Sequence, residues 1–332
     1  MQHSPQSRPL DALAIVVTVG LCLTWGLNQV AIKFALHDIP PLIQSAARSA
    51  IAALCVAVYA QTRGIPLFKR DGTLWAGVAA GVLFAVEFLL VYRGLVWTTA
   101  TRGVLFLYAA PFFIVIGSRL FIPGDHFYPL QWFGLALSFV GIVIAFGLPT
   151  PAADPRQLLG DLMLLGGGAA WAATTLVIKA SPLSRISAEK TALYQLVISA
   201  PLLAIAALAL GERMDAMPSA LAMAAFAYQA LWVVSVSFVI WFALIVRYSA
   251  NRLSAFTCLT PIFGVAAGHL FLNEPLTPAF ALAVRFCGGR LGARKPAAIR
   301  LYRRRESVGA AFNASAERRD DGIRKVIQRA IG

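Results

Sequence analysis

Charge is scarce in this sequence. Lys, Arg, Asp and Glu make up 13% of the 332 residues, hydrophobic residues make up 59%, and the mean hydropathy is +0.72. Soluble domains usually contain about 25% charged and about 45–50% apolar residues. Several apolar runs reach the ~20 residues that a helix needs to cross the hydrocarbon of a bilayer. The composition therefore predicts an all-α polytopic membrane protein.

Cysteine and histidine are also scarce, with four of each scattered along the chain. They lack the spacing of a metal site or a redox motif, so we expect neither a metal nor a cofactor. The sequence has no P-loop, catalytic triad or paired carboxylates, which argues against an ATP-driven pump in one chain. An integral membrane enzyme is the less favoured alternative, because it would need clustered His, Asp or Ser nucleophiles.

The basic charge is concentrated in one segment. The net charge is +14, but residues 285–332 alone hold 13 Lys or Arg against 4 Asp or Glu. The remaining 284 residues are only mildly basic, so we expect no binding to nucleic acid. We expect the protein to lie in a lipid bilayer and to bind a small-molecule substrate. The sequence does not decide between a monomer and a homodimer.

The sequence contains a duplication with an offset of about 150 residues. The matching pairs are Trp25 and Trp171, Lys33 and Lys179, Arg102 and Arg252, and Pro111 and Pro261. Each copy has an odd number of predicted spans, so the two copies must cross the membrane in opposite directions. Inverted repeats of this kind are typical of carriers.

The predicted boundaries follow the apolar runs. We predict a cytoplasmic N-terminus at 1–11, a first five-helix repeat at 12–148, a linker at 149–158, a second repeat at 159–284 with four full helices and the start of a fifth, and a basic polar tail at 285–332. The tenth helix is thus truncated or replaced. Only seven apolar residues precede Arg285, and Arg or Lys at a bilayer centre costs roughly 2.5–3.5 kcal/mol. Either a short re-entrant segment or a change of reading frame near Val284 would explain why the apolar run of the tenth helix stops so early.

The distribution of Lys and Arg in short loops predicts the orientation. With the N-terminus in the cytoplasm, ten of these residues fall on the inner side and five on the outer side. Because cytoplasmic loops are enriched in Lys and Arg, we expect a multi-pass inner (plasma) membrane protein with its N-terminus inside.

Several short motifs resemble one family. They are Trp25-Gly26-Leu27-Asn28 with Lys33, Arg48, Tyr92-Arg93-Gly94-Leu95, the run from Arg102 to Pro111, and Asn273-Glu274-Pro275. Over residues 10–284 the chain resembles the EamA family of the drug/metabolite transporter superfamily. This resemblance implies a ten-helix fold of two inverted five-helix repeats, and export of a small metabolite or drug by alternating access. An inactive or destabilised derivative lacking helix ten is the alternative.

Polar and aromatic residues within the apolar runs are the candidates for a substrate cavity. They are Trp25, Asn28, Glu87, Tyr108, Trp171, Thr174, Tyr194, Gln195 and Trp241, with Tyr228 and Gln229 as further candidates. Glu87 is an acid inside an apolar span, which is typical of a functional group in a carrier. It is either a proton-coupling residue or a buried partner of Lys33, Arg48 or Arg93.

Proline and glycine suggest where helices bend and meet. Pro111 and Pro261 lie at matching places, and each frees a carbonyl four residues earlier, so we predict a hinge or site-forming kink at both. Gly77 and Gly81 form a G-x-x-x-G pattern, which we interpret as a helix-packing surface. Lys33 and Lys179 lie near predicted helix ends and are expected to extend toward opposite interfaces.

Overall fold

A computed structural model describes residues 11–121, 154–237, 240, 241, 244, 256 and 259–276. Within these residues the regular elements are all helical. They are α1 (Ala12–Ala35), α2 (Pro41–Thr62), α3 (Leu74–Trp97), α4 (Ala100–Leu107), α5 (Ala110–Phe121), α6 (Pro155–Ala180), a 3-10 turn (Pro182–Arg185), α7 (Ala188–Ala209), α8 (Ala220–Ala227), a π-helical segment (Tyr228–Val236) and α9 (Leu259–Leu272).

Six helical stretches in this described part are long and apolar enough to cross a membrane, counting Ala100–Ser118 as one. The prediction of an all-α polytopic membrane protein is confirmed. Shorter apolar helices, Ala220–Val236 and Leu259–Leu272, fall within the predicted second repeat. The end of the predicted first repeat (residues 122–148), the truncated tenth helix and the basic tail lie outside the described residues.

The helices that correspond in the two repeats run in opposite directions. Near the end of α1, Lys33 Nζ donates to the Thr98 carbonyl at 2.7 Å. The Thr98 hydroxyl donates to Asp161 Oδ1 near the start of α6 at 2.6 Å. The end of α1 and the start of α6 therefore lie together, which is the inverted arrangement that the odd-numbered repeat predicts.

The second pair of corresponding helices is also antiparallel. Leu42 N at the start of α2 donates to Glu212 Oε2, at 2.8 Å, and Glu212 follows the end of α7. This places the start of α2 beside the end of α7. Lys33, near the end of α1, donates to the Leu95 and Thr98 carbonyls at the end of α3, and Lys179 is exposed. Their extension toward opposite interfaces stays a prediction.

Side-chain caps account for where several helices begin. Asp11 accepts from Ala14 N at the start of α1, and Asp154 accepts from Arg156 N at the start of α6. Ser187 and Ser219 cap α7 and α8 in the same way. A side-chain oxygen at this position satisfies one of the backbone N–H groups that the first turn leaves unpaired.

Glycines allow the helices to approach closely. A Cβ atom added at Gly77 would lie 2.5 Å from the Tyr194 ring, and one at Gly81 would lie 2.6 Å from Ile198 Cβ. The G-x-x-x-G pattern of α3 therefore packs on α7, as predicted. An added Cβ at Gly26 in α1 would meet Gly264 N of α9 at 2.7 Å, which is contact between two backbones.

Two helices of the first repeat are separated by a break at Tyr108 and Ala109, just before Pro111. Helix α4 ends at Leu107 and α5 begins at Ala110, one residue before Pro111, which has no N–H to continue the helix. Gly168 of α6 lies against the break, since an added Cβ would be 2.9 Å from the Leu107 carbonyl oxygen. In the second repeat α9 begins at Leu259, two residues before Pro261. Both prolines thus lie in a first turn, and their hinge role stays a prediction.

We expect Gly26→Ala to lower the melting temperature of the purified protein by about 5 °C or more. Overpacking typically costs about 1–3 kcal/mol, and the Gly264 backbone cannot move aside as a flexible side chain would. Gly20→Ala in the same helix is the control, because Gly20 has no atom within 4 Å of an added Cβ. Thermal denaturation in detergent compares the two. Equal melting temperatures would contradict the close α1–α9 contact.

Candidate functional site

A buried arginine joins three helical elements inside the bundle. Arg48 on α2 is 5% exposed, and its Nη1 donates to Tyr92 Oη on α3 at 3.0 Å. Tyr92 Oη in turn donates to Gln229 Oε1 in the π-helical segment at 2.8 Å. The guanidinium carbon of Arg48 lies 4.2 Å from the centroid of the Phe88 ring. We call Gln44, Arg48, Glu87, Tyr92 and Gln229 the Arg48 cluster.

The Arg48 cluster contains several buried polar atoms without hydrogen-bond partners. They are Arg48 Nε, both amide atoms of Gln44, and Gln229 Nε2. Leaving such a group unsatisfied costs about 1–3 kcal/mol, and more if it is charged. Among the described residues Arg48 also forms no ion pair. So many unsatisfied atoms at one place are unusual for a purely structural cluster, and they suggest a site that a ligand completes.

Glu87 is a buried acid on α3 and is 7% exposed. Two of its three predicted cationic partners are engaged elsewhere, since Lys33 donates to the end of α3 and Arg93 lies 3.5 Å from Glu212. Arg48 remains, within electrostatic reach of Glu87 but without an ion pair between them. The carboxyl group therefore faces the positive charge of the cluster without neutralising it by direct contact.

The π-helical segment supplies the contribution of the second repeat to the cluster. A π-helix has a wider turn than an α-helix. In this segment the Ser235 hydroxyl donates to the Ala230 carbonyl, five residues earlier, at 2.9 Å. Gln229 is fully buried, and Tyr228 Oη donates to the Thr24 carbonyl of α1 at 2.8 Å. The segment thus contacts both α1 and α3. Single π-helical turns within helices are frequent at functional sites.

Four of the aromatic and amide candidates form two edge-to-face pairs. The Trp25 and Trp241 ring centroids are 5.3 Å apart, and those of Tyr108 and Trp171 are 6.0 Å apart. Each pair joins a residue of the first repeat to one of the second. Asn28, one turn after Trp25 on α1, has a buried Oδ1 without a hydrogen-bond partner.

Thr174 and Tyr194 make no hydrogen bond to the Arg48 cluster among the described residues. Thr174 Oγ1 donates to the Ala170 carbonyl of its own helix at 2.9 Å, so its hydroxyl is already satisfied. Tyr194 Oη lies 3.2 Å from Thr73 Oγ1, just before α3, and so about 20 Å along the helix axis from Glu87. The structure does not bring Tyr194 to the Arg48 cluster.

Gln195 lines a separate cavity of about 350 Å³ between the end of α2, the end of α6 and the start of α7. Its Nε2 donates to the Thr191 carbonyl of its own helix at 3.3 Å. Tyr59, Phe84 and Val234 also line this cavity. The cavity lies at one end of the bundle, the end toward which α2 and α6 run.

The opposite end carries two glutamates that cap helices of the other repeat. Helices α7 and α9 are each followed, within two residues of their last residue, by a residue with a positive φ, Gly211 at 70° and Asn273 at 53°. The next residue is Glu212 in one case and Glu274 in the other. Glu212 accepts from the backbone N–H of Leu42 and Ile43, and Glu274 accepts from those of Ala100 and Thr101, at 2.7–3.2 Å. A carboxylate is stabilised at a helix N-terminus by the unpaired N–H groups and the helix dipole.

Ion pairs reinforce the same end. Arg102 Nε donates to both carboxylate oxygens of Asp161 at 3.0 Å, and Arg93 Nη1 lies 3.5 Å from Glu212 Oε1. In each link the acid belongs to the second repeat and the cation or helix end to the first. This end of the bundle is therefore held closed by contacts between the repeats.

The cavity end has a single ion pair among the described residues. Lys190 Nζ donates to Asp71 Oδ2 at 2.8 Å and to the Lys69 carbonyl at 2.7 Å. Hydrogen bonds from the Lys190 ammonium and then the Thr73 hydroxyl lower the pKa of Asp71 to about 2. The Asp71 carboxyl is therefore ionised at physiological pH, and its hydrogen bond from Lys190 joins the α2–α3 loop to α7.

Sequence reasoning did not single out Gln44, the bridging role of Tyr92, or the caps made by Glu212 and Glu274. Gln44 and Arg48 lie four residues apart in α2, and this spacing is a usable sign of a shared polar face. The glutamate caps had no comparable sign, because each joins residues about 170 positions apart.

Comparisons with known proteins agree with the two-repeat architecture. The family model described as "EamA-like transporter family" matches residues 12–147 and again 158–288. A relative from Escherichia coli (strain K12), "Probable amino-acid metabolite efflux pump", is 28% identical over 284 residues, covering 82% of this chain and 89% of the relative. "Uncharacterized transporter YvbV" of Bacillus subtilis (strain 168) is 24% identical over 281 residues, covering 83% and 88%. A crystal structure 18% identical in sequence has the same fold, with a TM-score of 0.64 over 88% of this chain and 99% of that one.

We expect Glu274→Ala to destabilise the protein more than Asp215→Ala. The first change removes an acceptor from the N–H groups of Ala100 and Thr101, and losing a helix cap costs about 0.5–2 kcal/mol. Asp215 is an exposed acid near Glu212 and serves as the control. Thermal denaturation in detergent measures the difference. Equal melting temperatures for the two variants would show that Glu274 does not hold the start of α4.

Proposed function

Because this chain belongs to the EamA-like transporter family, we propose that it is a secondary transporter that exports a small organic molecule across a bacterial inner membrane by alternating access. The name of the Escherichia coli relative, an efflux pump for amino-acid metabolites, supports both the direction and the substrate size. The family assignment likewise favours transport over an enzymatic activity.

The observation that carries this proposal is the Arg48 cluster at the meeting point of the repeats. Arg48 lies seven residues into α2, so about 10 Å below the start of that helix. Gln229 reaches the same cluster from the second repeat, through Tyr92. Carriers built from inverted repeats bind substrate near the bilayer midplane, between the repeats. A deep polar cluster with unsatisfied atoms is what such a site requires before substrate enters.

The unequal ends of the bundle support alternating access. Glu212, Glu274 and Asp161 link the repeats at one end, whereas a cavity of about 350 Å³ lies at the other. With the N-terminus in the cytoplasm, the linked end faces outward and the cavity faces the cytoplasm. Rocking of the repeats would break the links at the outer end. It would also close the cavity end, where Lys190 pairs with Asp71. This arrangement suits uptake of substrate from the cytoplasm.

Glu87 is the group through which we propose proton coupling. It is buried within electrostatic reach of Arg48, which forms no ion pair with any described residue, so protonation of Glu87 changes the net charge next to the proposed substrate site. An intramembrane acid in a carrier commonly serves as a proton relay. A proton entering on Glu87 in one orientation and leaving in the other would drive export against a concentration gradient.

Transport in proteoliposomes tests this proposal with a panel of radiolabelled amino acids under an imposed pH gradient. We expect the wild type to accumulate at least one member, and Glu87→Gln to lose this accumulation while it keeps exchange of labelled for unlabelled substrate. Asp215→Asn, which changes an exposed acid, is the control and should behave like the wild type. If Glu87→Gln retains gradient-driven accumulation, the coupling role is wrong. A wild type that moves no panel member in either mode contradicts the transport proposal itself.

A further inference from the structure

We infer that the Arg48 cluster binds the carboxylate group of the transported molecule, so that the substrates are small organic acids with an apolar body. This inference rests on the proposed transport function and names the chemical class of its substrate. Its premises are the unsatisfied donors, the uncompensated charge and the aromatic surroundings of the cluster.

The unsatisfied donors of the cluster fit a carboxylate. Arg48 Nη1 is engaged by Tyr92, and Arg48 Nε remains buried without an acceptor. Gln44 Nε2 and Gln229 Nε2 are two more buried donors without acceptors. A carboxylate has two oxygens, each of which accepts about two hydrogen bonds, and it pairs with the planar edge of a guanidinium. One carboxylate would therefore supply the acceptors that these three donors lack.

The charge of the cluster points to the same ligand. Every ion pair among the described residues lies at an end of the bundle, between Arg93 and Glu212, Arg102 and Asp161, or Lys190 and Asp71. Arg48 has no such partner there although it is deeply buried, and Glu87 stays outside ion-pair distance. A buried charge is unfavourable unless it is paired. An anionic ligand would neutralise Arg48, whereas a neutral or cationic ligand would leave it uncompensated.

The aromatic residues around Arg48 hold the guanidinium plane and suggest the rest of the ligand. Phe88 lies under the guanidinium at 4.2 Å, and its ring centroid is 4.6 Å from that of Phe84 and 6.1 Å from that of Tyr92. This row of rings restricts Arg48 to one orientation, which a lysine could not reproduce. It also offers an apolar surface beside the donors, which fits a carboxylate joined to an aromatic or aliphatic body.

The test uses phenylacetate and phenylacetamide as a pair of probes. The two have the same shape, but only phenylacetate carries the carboxylate. Binding to the full-length protein in detergent is measured by calorimetry. We expect saturable binding of phenylacetate by the wild type and binding of phenylacetamide that is at least tenfold weaker, because a charge-assisted bidentate contact is lost. Equal affinity for the two probes, or no saturable binding of phenylacetate, would overturn the inference.

Variants of α2 identify the site. Arg48→Gln should abolish phenylacetate binding, and Arg48→Lys should weaken it at least tenfold, since lysine keeps the charge but lacks the planar fork. Arg63→Gln is the matched control, because Arg63 is an exposed arginine at the end of the same helix. Wild-type affinity in Arg48→Gln would overturn the inference.

A further variant separates binding from folding. Gln44 makes no side-chain hydrogen bond with the residues that the structure describes, so Gln44→Leu should leave the melting temperature unchanged or higher. If Gln44 serves the ligand, the same variant should weaken phenylacetate binding severalfold. A lower melting temperature with unchanged binding would show that Gln44 is structural.

Transport measurements distinguish failure of this inference from failure of the proposed function. If proteoliposomes carry phenylacetamide as fast as phenylacetate, and Arg48→Gln carries both, the protein is a transporter whose substrates are not selected by a carboxylate. If neither probe is transported but phenylacetate binds through Arg48, the inferred carboxylate site is correct and the transport proposal is wrong.

Discussion

Arg48 is held inside an apolar bundle, and the arrangement of the neighbouring helices follows from the need to stabilise it. A guanidinium group in hydrocarbon requires hydrogen-bond acceptors and a compensating charge. Tyr92 provides one acceptor, Phe88 provides an aromatic face, and Gln229 fixes Tyr92 from the second repeat. The structure thus uses both repeats to hold one cation, and still leaves its Nε edge without a partner.

The ends of the bundle pair their buried charges directly, in contacts between the repeats. At one end Glu212 and Glu274 each place a carboxylate on the exposed N–H groups of a helix from the other repeat. These contacts are strong but depend on close geometry. A rigid rotation of one repeat would break them together. A transporter that rocks needs links of this kind, because they stabilise one orientation without joining the repeats permanently.

The sequence predicts the fold well and the site only in part. Apolar runs determine helix position directly, so the first repeat predicted to begin at residue 12 agrees with the start of α1 at Ala12, and the break before Pro111 follows from the missing N–H of proline. Which residues meet depends on how the helices pack. Trp25 and Trp241 come together as a pair, whereas Tyr194 packs on Gly77 at the far end of α3. No local pattern distinguishes these outcomes, because each depends on the rotation of one helix against another.

Accessibility of Ser45 from the two sides of the membrane tests alternating access to the Arg48 cluster most directly. Ser45 is 1% exposed and lies three residues before Arg48 on α2. A Ser45→Cys variant without the native cysteines would be treated with a membrane-impermeant thiol reagent on each side in turn. The account predicts labelling from both sides, with the lipid-facing control Leu54→Cys unlabelled. Labelling of Ser45→Cys from one side alone would contradict it.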